Sequence, residues 1–225
     1  MQKLPNSINT IEGIAKEVSK FSCVEYLDDI QLSDGLIDGT IKSAAVIACS
    51  EMGWLVPYVC SSETAQLHLF QNFGHNFDTG GLTETLIDSR IEKLIVYGHS
   101  DCEYKKFSLK SKSKKQLSAN QGGCKEDGHL TEMYSQALES NDQELWSRIG
   151  QYDVLNEIKK MMMNPLIASL AKQNILSLHG WFYIATTRQL EVFDPQKEKF
   201  TMPGSELNGS QVMKFTPDKS HVREE

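Results

Sequence analysis

Apolar residues along this chain gather in short runs, and the spacing inside each run predicts its element. "SAAVIACS" (43–50) is apolar, β-branched and closed by small polar residues, the pattern of a buried strand. "AQLHLFQN" (65–72) alternates apolar with polar, as a strand covered on one face does. "FGHNFDTGG" (73–81) is a glycine-bearing loop. "LTETLIDSRIEKL" (82–94) has helical spacing with Thr83 as its cap, and "LIVYGHS" (94–100) is a second strand of the buried kind. Residues 7–31 set Ile, Val, Phe and Leu among charges at helical spacing, predicting one or two amphipathic helices. "LTEMYSQALES" (130–140) is a further amphipathic helix. Residues 151–174 read as two helices broken before Pro165, with Asn174 as the stop. "ILSLHGWFYIATTRQLEVFD" (175–194) predicts a strand, a turn and a strand.

Near-continuous apolar strands alternating with helices predict an α/β fold: a mainly parallel central sheet flanked by helices. The chain divides into an N-terminal helical arm (1–40), an α/β core (41–194) and a polar, weakly patterned tail (195–225). The polar, lysine-rich stretch 108–129 reads as a long surface loop, either a solvated connection or a binding loop for an anionic partner.

Composition narrows the function classes. A formal charge of −7 argues against a nucleic-acid footprint. No apolar run approaches the roughly 20 residues of a membrane span, and "MQKLPNSINTIEG" has no signal-peptide core. Five cysteines, Cys23, Cys49, Cys60, Cys102 and Cys124, form an odd and sparse set, which suits a reducing, cytoplasmic setting.

Functional residues of parallel sheets gather at the carboxyl ends of strands, where Cys49 and His99 both fall. Cys102 follows His99 by one turn. Two thiolates and an imidazole suit Zn2+, and three protein ligands leave a fourth position open, the mark of a catalytic rather than a structural zinc site. A cysteine nucleophile with a histidine base is the competing reading; two cysteines around one histidine favour the metal.

These residues stand in an ordered set of motifs that resembles the β-class carbonic anhydrases. The family's Cys-x-Asp-x-Arg reads "CSEMG" (49–53), and its Gly-His-x-x-Cys-Gly-Gly reads "GHSDCEY" (98–104). "LFQNFGHNF" (69–77) stands where the family has Arg-Asn-Ala-Gly-Asn and keeps Asn72 and Gly74. His179, Gly180, Trp181 and Tyr183 match the family's late His-Gly-Trp-x-Tyr strand, and the similarity spans roughly residues 40–193. The resemblance implies zinc on Cys49, His99 and Cys102, reversible hydration of CO2 to bicarbonate, and a homodimer or homotetramer whose N-terminal arm crosses to its neighbour.

The departures cluster at one pocket. In the family the motif aspartate accepts a hydrogen bond from the attacking hydroxide, and an arginine two residues on holds that aspartate. Here Glu51 replaces the aspartate and Gly53 the arginine, Gln71 stands where another arginine is usual, and Glu103 and Tyr104 replace two glycines. Glu51 is therefore the candidate catalytic acceptor and equally the candidate fourth metal ligand; Gln71, Asn72, Gly74, Glu103 and Tyr104 are the candidate pocket. Three functions stay open: a working carbonic anhydrase, a zinc-bearing pseudoenzyme closed by Glu51, and an enzyme acting on another small electrophile. His75 is a candidate proton shuttle, while His179 reads as a satisfied core or interface histidine.

Overall fold

The computed structural model describes residues 10–52, 66–72, 80–111, 128–140 and 142–203. Gly53, Cys60, Gly74, His75, Cys124 and His221 lie outside the described residues, as do residues 112–127 and 204–225. In chain order the elements are α1 (Ile11–Val18), α2 (Asp29–Asp38), β1 (Ser43–Cys49), β2 (Gln66–Asn72), α3 (Gly80–Asp88), β3 (Lys93–His99), α4 (Glu103–Ser111), α5 (Gly128–Ser140), α6 (Gln143–Met162), α7 (Pro165–Lys172), β4 (Ser177–Ile184), β5 (Gln189–Asp194) and β6 (Lys199–Thr201).

Six described strands form one sheet in the order β2-β1-β3-β4-β5-β6. β2, β1, β3 and β4 run parallel, and β5 and β6 turn back antiparallel at one edge. The mainly parallel α/β architecture is the expected one, and its cause is visible in the sequence. β1 and β3 carry apolar residues on both faces because both faces are covered. Ala45, Ile47, Leu94 and Val96 pack toward Val154, Leu155 and Ile158 of α6. Ala44, Val46, Ala48, Ile95 and Tyr97 pack toward Leu32 and Leu36 of α2.

The long helix α6 lies unusually close to the carboxyl end of β3. A Cβ on Gly98 would sit 2.5 Å from Val154 Cγ2, and one on Gly150 would sit 2.6 Å from the Phe182 ring and 3.2 Å from the His99 carbonyl oxygen. Bare backbone at these two positions, one on the strand and one on the helix, permits the approach. α6 is thus the fixed body against which the end of β3 is set.

Helix ends follow local chemistry. Thr10 caps α1 through its hydroxyl, Asp28 and Gln31 form a capping box on α2, and Asn164 caps α7 ahead of Pro165 at its first position. α1 buries Ile14, Ala15 and Val18, and Glu17 pairs with Lys159 of α6 at 2.6 Å, so this arm helix packs on its own core.

Several boundaries differ from the expectation. α3 starts at Gly80 and ends at Asp88, so Thr83 lies inside it, and 93–94 already belong to β3. α6 begins at Gln143 rather than 151, because Trp146 and Ile149 are buried and Asp142 supplies a cap. The stretch read as a loop over 108–129 is helical at both ends, in α4 up to Ser111 and in α5 from Gly128. β6 lies in the stretch read as an unpatterned tail and pairs with β5, where Phe200 meets the Phe193 ring at 5.5 Å.

His179 is fully buried on β4. Its Nδ1 donates to the Glu25 carbonyl at 2.8 Å, and its Nε2 accepts from the Ser177 hydroxyl at 2.9 Å. These bonds tie the segment after α1 to the sheet, where Val24 also bridges Leu178. Burial pushes the imidazole down to about 3, with the Lys93 charge adding to the effect against the Glu25 hydrogen bond. A histidine neutral when folded but protonated when unfolded withdraws stability as pH falls from its unfolded value toward the folded one. Urea titrations of wild type and His179→Gln at pH 7 and pH 5 check this. The variant's loss over that interval is expected to be smaller by about 2 kcal/mol.

Candidate metal centre

β1 ends at Cys49, and the chain turns at once: the Met52 amide donates to the Cys49 carbonyl at 2.8 Å and the Ser50 amide to the Asn72 carbonyl at 2.9 Å. That turn carries Glu51 back over the strand ends. β3 ends at His99, and Ser100 is pinned by its own amide to the Tyr183 carbonyl at 2.8 Å and by its hydroxyl to the Ala185 amide at 2.9 Å. Asp101 adopts a left-handed backbone, φ 65°, which reverses the chain so that Cys102 faces Cys49 and opens α4. Its carboxylate pairs with Lys106 instead of joining the cluster.

Four side chains meet here. The ligand atoms of Cys49, Glu51, His99 and Cys102 all lie within 4.8 Å of one another. The two sulfurs are 3.8 Å apart. Two thiolates on one tetrahedral zinc, each bonded at about 2.3 Å, stand roughly 3.8 Å from each other. His99 is buried, and its Nδ1 donates to the Ser100 carbonyl at 2.8 Å, which leaves the Nε2 lone pair facing the cluster. Nε2 has no hydrogen-bond partner among the described residues and sits 3.6 Å from Glu51 Oε2. An orphaned imidazole nitrogen beside two sulfurs at this separation fits a zinc ion. Hydrogen bonding from Cys49 and burial push the Cys102 thiol up, a cost that a divalent cation between the sulfurs removes.

Glu51 is held from an unexpected side. Its Oε1 accepts the Tyr104 amide at 3.0 Å and its Oε2 the Glu103 amide at 3.2 Å. These are first-turn amides of α4, which have no partner inside their own helix and sit at its positive end. The residues that replace two glycines of the family motif therefore supply, through their backbones, the donors that grip Glu51. Their side chains are exposed, as are the rings of Tyr104 and Phe107. Sequence reasoning missed this grip, and it missed the Ser100 carbonyl behind His99, because backbone donors and acceptors leave no residue-type signal.

Of the other pocket candidates, Asn72 is buried beside Cys49 in the β1–β2 register, whereas Gln71 alternates to the opposite face and is exposed. Gly74 lies outside the described residues. Among the described residues no helix is long and apolar enough to cross a membrane.

The carbonic anhydrase family profile matches residues 44–190. A carbonic anhydrase of Synechocystis sp. is 26% identical over 212 residues, 88% of this chain and 75% of the relative. One from Pseudomonas aeruginosa is 21% identical over 179 residues, 76% of this chain and 81% of the relative. The β-carbonic anhydrase CcaA superposes with a TM-score of 0.51 at 22% identity, covering 76% of this chain and 88% of that one. CafA of Aspergillus fumigatus superposes at 0.50 with 17% identity, covering 70% and 79%. The match spans the strands that end at Cys49 and His99 and the turns that follow them, and on it the chain belongs to the carbonic anhydrase family, in its β-class fold.

Proposed function

We propose that the protein catalyses the reversible hydration of CO2 to bicarbonate at a zinc ion held by Cys49, His99 and Cys102. The observation that carries this reading is the convergence of those three donors and Glu51 within 4.8 Å, with His99 Nε2 left without a hydrogen bond. When bound, zinc supplies hydroxide near neutral pH, a chemistry already known for carbonic anhydrases.

The chain's own residues do the rest. Ser100 fixes the tautomer and direction of His99. Glu51, gripped by two amides, keeps Oε2 turned toward the ligand cluster. From there it accepts a hydrogen bond from the attacking oxygen and aims a lone pair at the carbon of CO2. The net reaction consumes water and CO2 and releases bicarbonate and a proton. Two amide donors stand in for the guanidinium that the family places beside its carboxylate. The odd and sparse set of cysteines suits a reducing, cytoplasmic setting. The family resemblance, together with the exposed Leu69 on the edge strand β2, supports a homo-oligomer.

One distance favours a second reading. An oxygen and a nitrogen sharing a tetrahedral zinc stand roughly 3.3 Å apart, close to the 3.6 Å between Glu51 Oε2 and His99 Nε2. Glu51 would then be the fourth ligand of a closed, structural site. Zinc content by mass spectrometry and stopped-flow CO2 hydration, on protein purified without chelators, decide between them. About one zinc per chain with hydration above the uncatalysed rate is expected. Full zinc with no rate above background, from neutral to alkaline pH, overturns the catalytic reading in favour of the closed site.

A further inference from the structure

We infer that Lys105 and Asp153 are positioning residues that set the aim of Glu51 and Cys102 by fixing the first turn of α4 against α6. This rests on the proposed role of Glu51 as the group to be aimed. α4 has little apolar packing: Leu109 is its buried apolar residue among those described, while Phe107 is 73% exposed. A short helix held so lightly needs another restraint if its first turn is to present Cys102 and two amides in fixed places.

That restraint is a buried ion pair. Lys105 Nζ lies 2.8 Å from Asp153 Oδ2 and 3.0 Å from Oδ1, with the two side chains 17% and 8% exposed. Tyr134 of α5 donates its hydroxyl to Asp153 Oδ1 at 3.5 Å, and its ring centroid is 5.1 Å from Lys105 Nζ. Three helices are thereby joined through one carboxylate. Burial opposes the charge on Lys105, but Asp153 and Tyr134 more than offset it, so the ammonium stays protonated. Asp153 belongs to α6, next to Val154, which packs against Gly98. Lys105 follows directly on Glu103 and Tyr104, whose amides hold Glu51. The linkage runs from the fixed helix, through the pair, into the first turn of α4 and so to the carboxylate over the site. Buried ion pairs contribute little net stability, but they are directional, and this one runs from α6 into the first turn of α4.

The test replaces the pair by apolar residues of similar size, Lys105→Met with Asp153→Leu, in the full chain. Hydrogen exchange of individual amides is then followed by NMR without added metal. First-turn amides of a helix ordinarily exchange fast, so protection of Glu103 and Tyr104 reports the grip on Glu51 directly. The expected result is a folded protein in which these two amides lose about tenfold protection or more, while β3 amides keep theirs. Zinc affinity measured by competition is expected to fall about 10- to 100-fold. A folded double variant with wild-type exchange at both amides overturns the inference, whatever its melting temperature. If the double variant does not fold, Asp153→Asn keeps the shape, removes the charge and is read in the same way. These readouts need no catalysis. An inactive wild type would therefore remove the proposed activity and leave this result standing.

Discussion

Cys102→Ser is expected to leave the chain folded and without stoichiometric zinc. The substitution replaces one sulfur of the cluster by oxygen and leaves the backbone as it is: Cys102 is buried, 3.8 Å from Cys49, and its carbonyl still receives the Lys106 amide at the start of α4. A serine hydroxyl stays protonated near neutral pH and is a poor ligand for a borderline-soft ion, so one of two anionic donors is lost. Structural zinc sites bind with apparent free energies of about 10–16 kcal/mol spread over four ligands. Removing a thiolate is therefore expected to weaken binding by roughly 100- to 1,000-fold, on the scale of one ligand's share. Mass spectrometry of the metal after dialysis should read below a tenth of a zinc per chain, roughly the occupancy that such a loss leaves at trace metal. CO2 hydration should fall to the uncatalysed rate. Retention of a full zinc by this variant would mean that the ion sits elsewhere, and the site would have to be redrawn.

Glu51→Gln separates the two roles open to that carboxylate. The amide has one oxygen left to accept an amide proton from α4, and its nitrogen donates where the carboxylate accepted. If Glu51 orients the attacking oxygen, hydration slows by about 100-fold, in the range removed with a positioned acid or base, and zinc affinity changes little. If Glu51 is the fourth ligand, zinc affinity falls by a comparable factor and there is no hydration to lose. Glu51→Asp sharpens the comparison. A side chain one methylene shorter cannot reach both the Glu103 and Tyr104 amides from the turn after β1, so restoring the family's aspartate alone is expected to impair this chain further.

Much of the site was legible in the sequence. Cys49 and His99 end apolar runs of the parallel-sheet kind, and such ends lie side by side once the strands pair. The candidate ligand set therefore followed from pattern and residue type. The role of Glu103 and Tyr104 did not. Their side chains replace glycines, and side chains are all that a sequence displays, whereas the groups that matter are two N–H bonds at the start of a helix. Lys105 and Asp153 were equally hidden, since neither stands in a motif and their pairing across two helices shows only in the fold. The helix boundaries were missed for the same kind of reason. Trp146 and Ile149 extend α6 because they find partners across the fold, not because of local spacing. β6 is too short for period-two alternation to register and exists because β5 offers an open edge.

The two sulfurs at the centre come from residues 53 positions apart, one at the end of β1 and one in the turn after β3, and these parallel strands are joined through a crossover. No local segment can bring both together, so the unfolded chain would offer no preformed place for an ion, and capture would wait for the slow, non-local pairing of β1 with β3. A bound metal would thus act on the completed sheet, and its binding energy would appear chiefly as resistance to unfolding. An ion held there would in this sense be a late fastening, closing a loop of half a hundred residues once the sheet has formed.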